Sequence, residues 1–119
     1  MKQVMEMDIE ERSRKAREYF RDGYNCCQSV LLAFEDVIGL SKDEIASLSS
    51  GFGGGMGRLR EVCGAMSAMT FMAGVVCPAS DPSDQKRKTE NYALVQKFAE
   101  EFKEANGSII CRELLQIRA

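Results

Sequence analysis

Seven residues, Gly51 to Gly57, hold five of the chain's ten glycines, and the least polar stretch of the sequence follows almost at once. The stretch reads Gly51-Phe52-Gly53-Gly54-Gly55-Met56-Gly57, then Arg58 to Glu61, then Val62-Cys63-Gly64-Ala65 and on to Val76. Glycines this dense require a backbone in conformations closed to other residues, or one that approaches something closely. The run from Val62 to Val76, broken only by weakly polar Ser67 and Thr70, is too short for the roughly 20 residues that span a bilayer. It predicts a buried central helix over about 59–76, with no membrane span, and the rest of the chain arranged to cover it.

The flanking sequence reads as helix throughout. Residues 3 to 22 carry opposite charges four apart (Glu10/Arg14, Glu11/Lys15, Arg14/Glu18) and a thin apolar stripe of Met5, Ile9, Ala16, Tyr19 and Phe20. That pattern fits an outer helix, packed on a second copy if the chain is a homodimer. Asn25 is a good N-cap for a helix over about 26–38, ended by Gly39. Ser41-Lys42-Asp43-Glu44 is a capping box opening a short helix to about Leu48. Asp81 and Pro82 open a helix over about 83–105, whose buried stripe would be Tyr92, Val95, Phe98, Ala99 and Phe102. Asn106-Gly107 stops it, and a last short helix carries Cys111, Leu114, Leu115 and Ile117. No segment alternates with period two. The expected fold is all-α, a single domain of five or six helices over 1–119 around the central helix.

A 45% hydrophobic composition supports a core without covalent staples. A net charge of -2 without a basic block argues against nucleic acid. The opening residues lack a charged-then-apolar signal pattern, so the expectation is cytoplasmic. Five cysteines and no histidine argue against a secreted disulfide framework. The missing histidine excludes Cys-His nucleophile pairs, mixed Cys/His zinc sites and C-x-x-C-H haem attachment. Any reactive thiolate must then be supported by a helix terminus, by Lys or Arg, or by a metal.

Cys26, Cys63 and Cys111 each fall at a predicted helix start, where free N–H groups and the helix dipole favour a thiolate. Arg112 adjoins Cys111. Cys27 lies nearer the centre of its helix's apolar face and reads as core. Cys77 ends the central helix, about 20 Å from Cys63 at 1.5 Å per residue. On a helical wheel Val62, Met66, Met69, Met72, Ala73 and Val76 form a bulky face. Cys63, Ser67, Thr70 and Gly74 form a small one, suited to a close helix contact or a ligand. The bland reading of the small face is plain helix packing, with Ser and Thr bonded to their own helix carbonyls. The glycine loop suggests an anion cradle at Gly53, Gly54 and Gly55, supported by Arg58 and Arg60. It lacks the Lys-Ser/Thr of a P-loop, and helix rather than strand precedes it, which argues against a nucleotide.

Asn25-Cys26, the glycine loop, Glu61-Val62-Cys63-Gly64-Ala65 and Gly107-Ser108-Ile109-Ile110-Cys111-Arg112-Glu113-Leu114-Leu115 together resemble a family of small redox-active proteins. That family is named for a Cys, a Cys-Gly-Ala-x-x-Gly motif and further Cys. The resemblance covers about 19–115, and Ala68 stands where the motif ends in glycine. It implies redox or metal chemistry at a shared cysteine site. Cys26, Cys63 and Cys111 match the family's principal cysteines, and Cys77 is the candidate fourth. Three functions follow. In the leading one, a thiol/disulfide site with catalytic Cys26, Cys63 and Cys111 exchanges with a thiol or electron-transfer partner protein. In the second, Cys26, Cys63, Cys77 and Cys111 hold a metal ion or iron–sulfur cluster, although their spacing matches no compact motif. In the third, the cysteines are core residues of a binding or structural module.

Overall fold

The computed structural model describes residues 9–118, and the architecture is all-α, as the periodicity predicts. In chain order the helices are α1 (Ile9–Arg21), α2 (Cys26–Leu32), α3 (Glu35–Ile38), α4 (Lys42–Leu48), α5 (Gly64–Val76), α6 (Gln85–Asn106) and α7 (Cys111–Arg118). A 3-10 turn at Ser50–Phe52 follows α4. No strand occurs among the described residues, where Val62 and Ile110 form an isolated antiparallel bridge. None of the described helices is long and apolar enough to cross a membrane. The expected start of the first helix at residue 3, its Met5 and the side chain of Ile117 lie outside the described residues.

The capping signals locate several helix ends correctly. Asn25 and Gln28 form a reciprocal capping box at α2, and Ser41 and Glu44 form one at α4. Gly39 and Gly107 end α3 and α6 in the left-handed conformation that glycine allows. At α6 the cap is Asp84, which accepts from the Arg87 N–H, not Asp81. Asp81 instead accepts from the Ser83 amide and hydroxyl in the turn before the helix.

The helix expected over 26–38 is broken in two at Ala33-Phe34, which makes seven helices among the described residues. Arg12 of α1 explains the break. Its guanidinium donates to the Ala33 carbonyl and to both oxygens of Asp36. The chain tightens there, with Phe34 N–H donating to Leu31 O and Val37 N–H to Phe34 O, three-residue steps of the 3-10 kind. Asp36 holds the Arg12 guanidinium more firmly protonated, and Arg12 in turn lowers the Asp36 pKa.

The central helix begins at Gly64, not near residue 59. Gly54 through Arg58 all have φ between 56° and 71°, and Arg60 has φ 63°. This run of left-handed backbone carries the chain past residue 59 before a right-handed helix can start. Its amides turn inward: Gly57, Arg58, Arg60 and Glu61 donate to the carbonyls of Gly51, Gly53, Gly54 and Gly55. For Met56, Arg58 and Arg60 that conformation costs about 1–2 kcal/mol each, which these hydrogen bonds offset.

The core lies between α2, α4 and α5, where Cys27, Leu31, Leu32, Ile45, Ala68 and Met72 pack together, with Tyr19 of α1 against them. Met66, Met72 and Ala73 of the bulky α5 face are buried, while Met69 and Val76 are half-buried. The close-packed small face is not the expected one. Gly64 and Ala68 are buried, whereas Thr70 and Gly74 are exposed, and Thr70 bonds back to the Met66 carbonyl. α6 packs along α5, yet none of its residues is buried. Its predicted stripe of Val95, Phe98, Ala99 and Phe102 is half-buried, and Tyr92 is 57% exposed.

Candidate functional site

Three cysteines stand at three helix N-termini. Cys26 is the first residue of α2, Cys63 the N-cap of α5 and Cys111 the first residue of α7. All five cysteines are in the thiol form. Cys63 makes no side-chain capping bond, so its sulfur is not committed to the helix.

Two local features align these three. At Gly64, one residue past Cys63, an added Cβ would lie 3.0 Å from the Cys27 amide nitrogen and 3.2 Å from Cys26 Cβ. The absent side chain therefore lets the starts of α2 and α5 touch. On the other side, the Cys63 N–H donates to Ile109 O at 2.8 Å and the Cys111 N–H to Glu61 O at 2.6 Å. With the Val62–Ile110 bridge between them, Cys63 and Cys111 share one face of a short antiparallel ladder. The three helix starts thus lie in a row, that of Cys26, then that of Cys63, then that of Cys111.

Cys27 belongs beside the row but not in it. It is 2% exposed and part of the core cluster. Burial, and then the nearby sulfurs of Cys26 and Cys63, push its pKa up from 9.0 to about 11. It stays a neutral thiol at neutral pH, as its wheel position suggests. Cys77 caps the far end of α5, where its carbonyl accepts from Asn91. The unbroken helix keeps it about 20 Å from Cys63, so it does not join Cys26, Cys63 and Cys111. Among the described residues no three Cys, His, Asp or Glu side chains are grouped to hold a metal ion.

The glycine loop packs against this row. A Cβ on Gly53 would strike the Asn25 side chain at 2.7 Å, one on Gly54 the Arg58 side chain at 2.9 Å, and one on Gly55 Cys111 Cβ at 2.6 Å. Close packing accounts for all three glycines, the residues expected to cradle an anion. Asn25 ties the loop down further by donating to Ser50 O. The loop's end also delivers Arg60, whose guanidinium lies 3.8 Å from the Cys111 sulfur. Arg112, the neighbour expected to do this, pairs with Glu61 at 3.2 Å instead. Sequence reasoning noted Arg60 only as support for a small anion. The placement beside Cys111 depends on the left-handed run, which no helical wheel represents.

A family model described as "Putative redox-active protein (C_GCAxxG_C_C)" matches residues 24–119. That pattern places Gly before Cys, where this chain has Cys63 before Gly64, and Ala68 takes the place of its last glycine. No curated protein and no solved structure matches the chain.

Proposed function

The chain belongs to the C_GCAxxG_C_C family, described as redox-active, and on that premise we propose that it is a thiol–disulfide redox protein working through Cys26 and Cys63, with Cys111 as third member. The observation that carries the reading is the row of sulfur-bearing helix starts, joined through Gly64 on one side and the Val62–Ile110 ladder on the other. A row suits pairwise exchange, because each thiol has a neighbour to attack and Cys63 has one on each side.

The reaction is two successive displacements. One thiolate attacks a sulfur of the partner's disulfide. That bond breaks, a mixed disulfide forms, and one partner sulfur leaves as a thiolate. The second thiol of the chain then attacks the mixed disulfide, closing an internal disulfide and releasing the partner's other sulfur. Two electrons pass to the partner, and the protons given up by the two thiols end on its sulfurs. Arg60 sets a fixed positive charge beside the third thiol, Cys111. The partner is a thiol or electron-transfer protein, the setting a reducing cytoplasm, and the working form a homodimer built through α6.

Mild oxidation of the reduced protein, followed by trapping and peptide mapping, tests this. The expected product is a Cys26–Cys63 disulfide, replaced by Cys63–Cys111 in Cys26→Ser. In the native reduced protein Cys26 or Cys63 should alkylate fast at neutral pH. If every thiol reacts only after unfolding, the reading fails.

A further inference from the structure

Cys26 opens onto a cleft of about 440 Å³ between α1, α2 and α5. Arg17, Phe20 and Arg21 line one wall, and Val30 and Ala65 make an apolar floor. Arg17 and Arg21 are four residues apart on α1, so they share a face. Neither pairs with a carboxylate among the described residues, while Arg12 and Arg14 of the same helix are held by Asp36, Glu11 and Glu18. Phe20 is 57% exposed beside them. Two uncompensated guanidiniums, an exposed aromatic ring, an apolar floor and a thiol thus surround one space. The depression is open to solvent, and its volume falls in the roughly 300–1,000 Å³ range of small-ligand sites.

We propose that this cleft is the entry site for a low-molecular-weight disulfide carrying carboxylate groups. Its acidic ends sit on Arg17 and Arg21, its stem lies on Phe20 and Val30, and its disulfide faces Cys26. The assignment rests on the thiol–disulfide reading above and adds a small-molecule disulfide to the protein partner proposed there. The Cys26 thiolate attacks one sulfur, forming a mixed disulfide and expelling the other half as a thiolate. Cys63 then displaces the remaining half, so that one small disulfide becomes two small thiols as the chain's dithiol becomes a disulfide. Both electrons come from the Cys26–Cys63 pair, and the protons those thiols lose are taken up by the two leaving groups.

The test uses the full chain with Cys63, Cys77 and Cys111 replaced by Ser, leaving Cys26 and the buried Cys27. Rates of mixed-disulfide formation are measured with dianionic dithiobis(nitrobenzoate) and with neutral dithiodipyridine. Each is divided by the rate of the same probe with a free small thiol. The expected result is a preference for the dianion of about tenfold, equivalent to about 1.4 kcal/mol, at low salt. The preference should shrink in high salt, vanish in Arg17→Gln/Arg21→Gln and return in Arg17→Lys/Arg21→Lys. An equal preference in the Gln pair overturns the assignment. If the neutral probe labels Cys26 and the dianion has no advantage, the cleft assignment fails while the thiol reading stands. If neither probe labels Cys26, both fail.

Discussion

Cys27 is the residue whose chemistry the fold alters most. Burial is the larger cause of its raised pKa and the neighbouring sulfurs the smaller. The unfolded chain gives up this proton near pH 9 and the folded one near 11, so the folded state is favoured below the unfolded value. That advantage is lost as pH rises from about 9 to about 11, a loss of up to about 3 kcal/mol. Urea midpoints at pH 8 and near 11 should fall accordingly in the native chain, with a smaller fall in Cys27→Ala. An equal fall in both chains would refute the attribution. The sequence made this residue legible because its place on the α2 wheel depends only on local period. Arg60 was not legible in the same way. Its neighbour Cys111 lies 51 residues on, and the two meet through the left-handed run and the backbone pairing of Glu61 with Cys111.

At the scale of elements, the capping residues were readable and the close approach was not. Asn25 and Ser41 announce helix starts because a cap satisfies nearby amides and needs nothing distant. The break at Ala33 depends on a distant partner, Arg12, and the beginning of α5 on a left-handed run held by the loop's own carbonyls, so period alone misplaced both. The small face of α5 was misassigned for the same reason, and two glycines of that helix now separate the explanations. At Gly64 an added methyl would meet the Cys27 amide nitrogen and the Phe52 carbonyl oxygen, each at 3.0 Å, and backbone atoms cannot rotate aside. At Gly74 it would meet nothing within 4 Å. Gly64→Ala should therefore destabilise the protein by about 1–3 kcal/mol, outweighing the gain in helix propensity. Gly74→Ala should stabilise it by about 0.5–1 kcal/mol. Urea denaturation of the two variants gives the signs, and a shared sign would mean that the α2–α5 contact is looser than described. Oxidative mapping of Gly64→Ala also bears on the redox reading, since spreading these helix starts should slow closure of the Cys26–Cys63 disulfide.

For the molecule as a whole, the unresolved matter of packing is α6. Twenty-two residues of helix, about 33 Å long, lie against α5 without one buried side chain. Periodicity correctly gave this helix an apolar face, but it could not say how much of that face the chain itself covers. Lys86, Arg87 and Lys88 crowd its first turn, where the dipole favours the opposite sign. Glu100, Glu101 and Glu104 lie toward its C-terminal end, with Lys103 among them in the last turn. An antiparallel second copy of α6 reverses that cost, because each basic end then meets an acidic end and the two dipoles oppose. Arg87, Leu94 and Glu101 are spaced by seven and form one stripe. A two-fold axis at Leu94 sets Arg87 against the partner's Glu101, and half-buried Leu94 against its own copy, the self-complementary arrangement a symmetric dimer needs. Light scattering should find a dimer that weakens with salt. Arg87→Glu or Glu101→Arg alone should shift it toward monomer by placing like charges together, and the two combined should restore it. A native chain that is monomeric at every concentration, or a double variant no better than the singles, would leave α6 a solvent-facing helix with its charges unexplained.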